Sequence, residues 1–162
     1  MIQNQNLSPH FELREFIASR KAKEHGIANI PTEEAVANLR RLCENTLEQL
    51  REGLGLPVII TSGFRTKALN AMLAHASDRS QHMAGQAADF YVGKGTREEL
   101  IKAFREILTN PKIGFDQLIL YPTFIHVSFV SKEKNRRGIL KARGDGKLGY
   151  GRLSLSDALL IS

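Results

Sequence analysis

The sequence is poor in cysteine, in tryptophan and in long apolar runs, and these absences exclude whole classes of protein. Its 162 residues contain a single cysteine, Cys43, so an internal disulfide framework is excluded. No apolar run reaches the roughly 18 residues of a transmembrane helix, so we expect no membrane insertion. The composition, 42% hydrophobic and 25% charged, is that of a globular protein. The length fits one domain over residues 1–162 with a substantial core.

The two ends of the chain differ from its middle. The N-terminus lacks the basic start and apolar block of a secretory signal, so we expect synthesis in the cytoplasm. Residues 1–30 are predicted to form an irregular lead-in, with a short helical piece around Glu12–Ser19. Residues 131–162 are predicted to form a basic C-terminal extension.

Positive charge exceeds negative charge, with a formal net charge of +6. Much of this excess lies in the C-terminal extension, at Lys132, Lys134, Arg136, Arg137, Lys141, Arg143 and Lys147. A basic surface favours a polyanionic partner such as a nucleic acid, an anionic cell wall or a membrane surface. A solvated tail that maintains solubility explains the charge equally well. The sequence has no helix-turn-helix, RNP motif or basic strand with interleaved aromatics, so we expect no nucleic-acid partner.

Helical patterns come early in the chain and strand patterns concentrate late. Helices are predicted over residues 31–55, 66–76 and 96–110, where Thr32 and Thr96 are suitable N-caps for the first and the third. Gly53 and Gly55 are predicted to end the first helix. Strands are predicted over residues 58–61, 87–92, 115–121 and 124–130, with a loop over residues 78–86. The expected fold class is therefore α+β, with a small, largely antiparallel sheet flanked by helices.

Three polar residues, His82, Asp89 and His126, are candidate metal ligands. Asp89 lies in a strand of small and aromatic residues, where an inward carboxylate costs several kcal/mol unless it is paired or metal-bound. His126 lies in the middle of the strand FIHVSF, on the face that alternates with an apolar one. Two imidazoles and one carboxylate leave a fourth position for water, which is typical of catalytic rather than structural zinc. The remaining histidines are interpreted singly as ordinary structural residues: His10, His25 and His75.

Three sequence blocks occur together in a fixed order: ITSGFR at 60–65, SQHMAGQAADF at 80–90 and FDQLILYPTFIHVSF at 115–129. In order and spacing they resemble the blocks of the zinc D-alanyl-D-alanine carboxypeptidase family. That family includes D-Ala-D-Ala dipeptidases and phage L-alanyl-D-glutamate endolysins, and belongs to the lysostaphin, D-Ala-D-Ala peptidase and hedgehog group. The opening LSPHFELREF is similar to the start of the short single-domain members. The resemblance covers roughly residues 7–130 and leaves the C-terminal extension outside.

The resemblance implies a role for several residues. It implies that His82, Asp89 and His126 bind one Zn²⁺ per chain, and that the fold is of the hedgehog and D-Ala-D-Ala peptidase type. It implies that Arg65 binds the scissile carbonyl or its oxyanion, a role that suits a fixed cation. Residues that are expected to contact the peptide substrate are Ser62, Ser80 and Gln117.

The general base departs from the family pattern. Several members carry an acidic residue three positions before the last histidine, and here that position is Thr123. The nearest upstream carboxylate is Asp116. A strict two-residue hairpin pairs His126 with Ile119 and turns Asp116 to the opposite face, so this base is an open assignment. The same pairing leaves Tyr121 on the His126 face as an alternative electrophile or proton donor.

The predicted function is zinc-dependent hydrolysis of amide bonds in bacterial peptidoglycan stem peptides, by a carboxypeptidase or by an endopeptidase of the endolysin type. The expected partner is the stem peptide, and the expected state is a monomer. We expect action on the cell wall, after release through a holin or as part of a virion. The alternative is a non-catalytic zinc-binding module of the hedgehog type, which the missing acid at position 123 favours.

Overall fold

The computed structural model describes residues 2–74, 76–145, 147–149 and 151–162. It confirms the α+β class. The small N-terminal sheet consists of β1 (Asn6–Ser8) and β2 (Phe11–Glu12). The main sheet consists of β3 (Val58–Ser62), β4 (Ala87–Val92), β5 (Gln117–Leu120), β6 (Ile125–Ser128) and β7 (Gly138–Lys141). The helices are α1 (Leu13–Ile17), α2 (Arg20–Glu24), α3 (Glu33–Leu42), α4 (Glu48–Leu54), α5 (Lys67–Ala71), α6 (Arg97–Thr109) and α7 (Leu155–Leu159).

The main sheet has the strand order β3-β4-β6-β5-β7. Every neighbouring pair is antiparallel except β5 and β7, which run parallel, so the sheet is largely antiparallel as predicted. The predicted hairpin register is confirmed, because Ile119 lies opposite His126 and the turn closes with a bond from Tyr121 N–H to the Phe124 carbonyl. The C-terminal extension is an integral part of the fold, because it supplies the edge strand β7.

The N-terminal lead-in contains two short strands and two short helices, which is more regular structure than was expected. Three of these elements, β1, β2 and α1, contribute side chains to the core that are at most 1% exposed: Leu7, Phe11, Leu13 and Phe16. The apolar residues are spaced unevenly because they alternate between very short elements, which explains why no single periodicity indicates them. The helical piece that was predicted around Glu12–Ser19 is present as α1.

The predicted helix over residues 31–55 is continuous but not uniform. Thr32 caps α3 by accepting a hydrogen bond from the Ala35 N–H, and a π-helical segment, Cys43–Leu47, connects α3 to α4. Gly55 ends α4 in a left-handed conformation with φ of 65°, whereas Gly53 lies inside the helix. Thr96 caps α6 as predicted. The helix predicted over 66–76 is shorter than expected, and His75 lies outside the described residues.

The helices cover one face of the main sheet. Side chains of β4, β5 and β6 alternate, so that one set enters the core with α3, α4 and α6. This set includes Phe90, Val92, Leu118, Leu120, Ile125 and Val127. The alternate positions carry Asp89 and His126 on the other face. Among the described residues, no helix is long and apolar enough to cross a membrane.

Candidate metal centre

The fold brings His82, Asp89 and His126 together from three separate elements. His82 lies in a short 3-10 turn, Gln81–Ala84, within the segment that was predicted as a loop. Asp89 and His126 are direct neighbours across β4 and β6. One ligand atom from each of the three side chains lies within 4.8 Å of the others. Within the part of the chain that the structure describes, this is the one group of histidine, cysteine and acidic residues with such geometry.

The Asp89 carboxylate lies between the two imidazoles. Its Oδ1 is 2.8 Å from His126 Nδ1 and 3.3 Å from His82 Nε2. Burial raises the pKa of Asp89, but the hydrogen bond from His126 and the proximity of both imidazoles outweigh burial and hold this pKa well below its usual range. The carboxylate is therefore ionised at neutral pH and available as an anionic ligand.

The tautomer of His82 is determined by its neighbour. Its Nδ1 lies 2.6 Å from the Gly63 carbonyl oxygen, which can only accept a hydrogen bond, so Nδ1 carries the hydrogen. In the neutral imidazole, Nε2 is then an acceptor, and it faces Asp89 Oδ1, which is a second acceptor. His82 is 2% exposed, and burial lowers its pKa, which disfavours a proton between the two atoms. A metal cation between His82 Nε2 and Asp89 Oδ1 would satisfy both acceptor atoms.

The donor set fits zinc. Two imidazole nitrogens and one carboxylate oxygen are zinc ligands of the kind found in open, three-residue sites. The bond from His82 Nδ1 to a backbone carbonyl is the outer contact that metal-binding histidines commonly make, and it orients the ring. His126 completes the group from β6, with its ring centroid 5.1 Å from that of His82.

The turn that follows β3 is hydrogen-bonded both to α1 and to the turn of His82. The Phe64 N–H donates to the Phe16 carbonyl of α1, and the Arg65 N–H donates to the His82 carbonyl. Asn29 hydrogen-bonds to the residues on both sides of Arg65. Its side-chain amide donates to the Phe64 carbonyl and accepts from the Thr66 N–H. Sequence reasoning missed Asn29. No local pattern indicates it, since its partners lie 35 and 37 residues away.

One N–H donor of the Arg65 guanidinium has no hydrogen-bond partner among the described residues. Its Nη1 donates to Asn70 Oδ1 at 3.2 Å, while its buried Nε has no hydrogen-bond partner. Burial lowers the pKa of Arg65, and the negative potential from Asp89 and Tyr121 opposes that effect. The cation therefore lies within electrostatic reach of the Asp89 carboxylate, where an incoming oxygen could accept a hydrogen bond.

Tyr121 lies in the turn between β5 and β6. Its ring stacks on Phe124 with a centroid distance of 4.3 Å and an interplanar angle of 9°. Burial and the Asp89 charge raise the pKa of Tyr121, whereas Arg65 lowers it, so the phenol stays protonated at neutral pH. Asp89 and Arg65 both affect this pKa, which places Tyr121 near the candidate metal centre.

The Asp116 carboxylate is not part of the candidate metal centre and forms a separate set of hydrogen bonds. Its carboxylate is 1% exposed and accepts hydrogen bonds from the Arg136 guanidinium and backbone and from the Gln81 amide. Burial raises the pKa of Asp116, but the bonds from Arg136 and Gln81 outweigh that effect and lower it. A carboxylate with these partners is a poor proton acceptor.

The three residues that were predicted to bind substrate occupy different places around the centre. Ser62 lies opposite Asp89 across β3 and β4, at a bulge. Ser80 caps the 3-10 turn, and its hydroxyl accepts from the His82 N–H. Gln117 lies two residues from Ile119 and so shares the sheet face of His126. Ser62 and Gln117 therefore lie on strands beside the candidate ligands, whereas Ser80 supports the turn of His82.

Comparison with known families agrees with this geometry. The sequence profile of the family described as Peptidase M15 matches residues 9–128, which is most of the chain. The chain therefore belongs to the peptidase M15 family, as the resemblance implied. The match contains the three candidate ligands and ends at Ser128, before β7 and α7. No curated protein matches the chain.

Proposed function

We propose that the chain is a zinc-dependent peptidase that hydrolyses amide bonds in bacterial peptidoglycan stem peptides. The observation that carries this proposal is the pair of acceptors, His82 Nε2 and Asp89 Oδ1, that face each other at 3.3 Å beside His126. Membership of a peptidase family supports the reaction type. The net charge of +6 supports an anionic wall as the environment of the substrate.

The residues around the candidate metal centre have different roles in this proposal. Zinc held by His82, Asp89 and His126 would supply a water of lowered pKa and would polarise the scissile carbonyl. The Arg65 guanidinium donates a hydrogen bond to the oxygen on which negative charge develops. The protonated phenol of Tyr121 donates a hydrogen bond to the substrate from the same side. Ser62 and Gln117 bind the peptide backbone along the sheet face.

Asp116 takes a structural role in this proposal rather than that of general base. Its carboxylate is buried and its acceptor sites are filled by Arg136 and Gln81. Removing the Arg136 side chain would leave this buried charge without its ion-pair partner, which is costly. This assignment leaves Tyr121 as the candidate proton donor in this proposal.

A non-catalytic zinc module is the alternative. Thr123 occupies the position at which several relatives carry an acid, and Asp116 is held by Arg136. Such a module would bind zinc stoichiometrically and hydrolyse nothing.

The two functions are separated by zinc analysis together with mass spectrometry of digested muropeptides. We expect the wild-type protein to bind one zinc per chain and to release a defined product, whose mass names the bond that is cut. We expect His82→Ala to lose both properties and His25→Ala, at an exposed position, to keep them. Stoichiometric zinc without product on a range of wall substrates would establish the alternative.

The proposed setting follows from the substrate. A stem peptide is the partner, one zinc ion is the cofactor, and a monomer suffices because the three candidate ligands come from one chain. The site of action is the cell wall. Size-exclusion chromatography with light scattering tests the monomer, and binding to purified cell-wall sacculi tests the location.

A further inference from the structure

Two adjacent arginines of the C-terminal extension lie on two adjacent residues at the start of β5. The Arg136 guanidinium forms a two-point contact with the Asp116 carboxylate, with Nη2 to Oδ2 at 2.6 Å and Nε to Oδ1 at 3.0 Å. The Arg137 guanidinium lies 4.4 Å above the centre of the Phe115 ring. Arg136 and Arg137 lie beyond Ser128, where the family match ends.

The backbone is strained where these two contacts are made. Arg137 has φ of 52°, a left-handed conformation that is unfavourable for a residue other than glycine. The turn directs the two side chains to neighbouring targets and brings the Arg136 N–H to Asp116 Oδ1 at 2.7 Å. Gly138 then starts β7 by donating to the Asp116 carbonyl. A strained conformation that is held by this many bonds indicates a role for the geometry.

Asp116 connects Arg136 to the turn that contains His82. Its Oδ2 accepts a bond of 2.9 Å from the side-chain amide of Gln81, the first residue of the 3-10 turn. The next residue is His82, which is almost completely buried. His82 is also held by its own bond to the Gly63 carbonyl. Gln81 thus adds a separate contact, which ties the turn to Asp116.

We propose that Arg136 is a positioning residue of the metal centre, acting through Asp116 and Gln81 on the turn that presents His82. The proposal rests on the zinc site of the proposed function and extends it to a segment outside the family match. It gives the C-terminal extension a function besides contributing positive charge. Residues that orient a metal ligand from outside typically change metal affinity 10–100-fold when removed.

The test is zinc affinity, measured by competition with a chromogenic chelator at a temperature at which every variant is folded. We expect Arg136→Ala to weaken zinc binding by about 10-fold or more. Arg136→Lys restores part of the affinity, because an ammonium keeps the charge but loses the two-point contact. Lys134→Ala is the matched control. It removes one positive charge from the same segment at an exposed position and should bind zinc as the wild type does.

Gln81→Ala distinguishes positioning from loss of stability. It breaks the link to the turn but leaves the pair of Asp116 and Arg136 intact, so we expect weaker zinc binding with little change in unfolding free energy. A variant with both Arg136→Ala and Gln81→Ala should bind zinc no more weakly than Arg136→Ala alone, because both changes interrupt the same path. Wild-type affinity in Arg136→Ala or in Gln81→Ala overturns the positioning role alone. A wild-type chain that binds no zinc overturns both this role and the proposed function.

Discussion

His82 and Gly63 are joined by a hydrogen bond of 2.6 Å from the imidazole Nδ1 to the backbone carbonyl. This bond leaves Nε2 as the ring atom that is available to a metal ion and fixes the plane of the ring. Gly63 lies in the turn that also carries Arg65, and the Arg65 N–H returns a bond to the His82 carbonyl. The ligand and the cation that would act on the substrate are therefore held by one reciprocal contact.

Removal of a ligand should abolish zinc binding without unfolding the chain. We expect His126→Ala and Asp89→Asn each to weaken zinc affinity by more than about 100-fold, beyond the range of outer contacts. Isothermal titration calorimetry with zinc measures the change, and circular dichroism checks the fold. His10→Ala is the control, since His10 contacts Glu48 and not the centre. Wild-type affinity in either ligand variant would remove that residue from the site.

Arg65 should affect catalysis and leave the metal in place. Arg65→Ala removes the guanidinium, and we expect kcat to fall by about 10²–10³-fold with zinc content unchanged. Arg65→Lys should recover little, because a lysine lacks the fixed planar donors. Steady-state kinetics on a purified muropeptide, with Arg79→Ala as an exposed control, measures this effect. If KM alone changed, Arg65 would bind substrate and not the developing charge.

Tyr121 should contribute through its hydroxyl and not through its ring. Tyr121→Phe keeps the stack on Phe124 and removes the proton donor, so we expect kcat to fall by about 100-fold at constant zinc affinity. Tyr91→Phe is the matched control, because its ring lies beside Gly95. Equal activity in the two variants would exclude Tyr121 from proton transfer.

The sequence predicts the sheet face of the site well, because strand alternation and hairpin geometry are local rules. The turn at Pro122 sets the register that pairs Ile119 with His126, and this pairing turns Asp116 away from the histidine. The parallel edge strand β7 was not predicted. Its register on β5 depends on Arg136 and Asp116, which are 20 residues apart and form no repeating pattern. Asn29 was missed for the same reason, since contacts across the fold leave no periodic signal.

Gly85 should be irreplaceable, because it combines a left-handed conformation with close packing. Its φ is 70°, and a Cβ there would collide with the Ala35 carbonyl of α3. We expect Gly85→Ala to lower the unfolding free energy by about 3 kcal/mol and to weaken zinc binding, since the turn of His82 must shift. Gly26→Ala is the control, because Gly26 has φ of 62° and open space around it. Its cost should be about 1 kcal/mol, and chemical denaturation that gave equal costs would contradict the clash.

The pair of Asp116 and Arg136 should stabilise the fold only above acidic pH. The pKa of Asp116 is lower in the folded chain than its unfolded value of about 3.9, so its stabilisation is fully present above that value. It is lost as pH falls through the lower folded value. We expect Asp116→Asn to cost about 2 kcal/mol at pH 7 and progressively less below about pH 4, as the wild-type carboxyl becomes protonated. Urea denaturation at several pH values measures both proteins, with the exposed Asp78→Asn as control. A difference that stayed constant down to about pH 2 would show that the ion pair does not stabilise the fold.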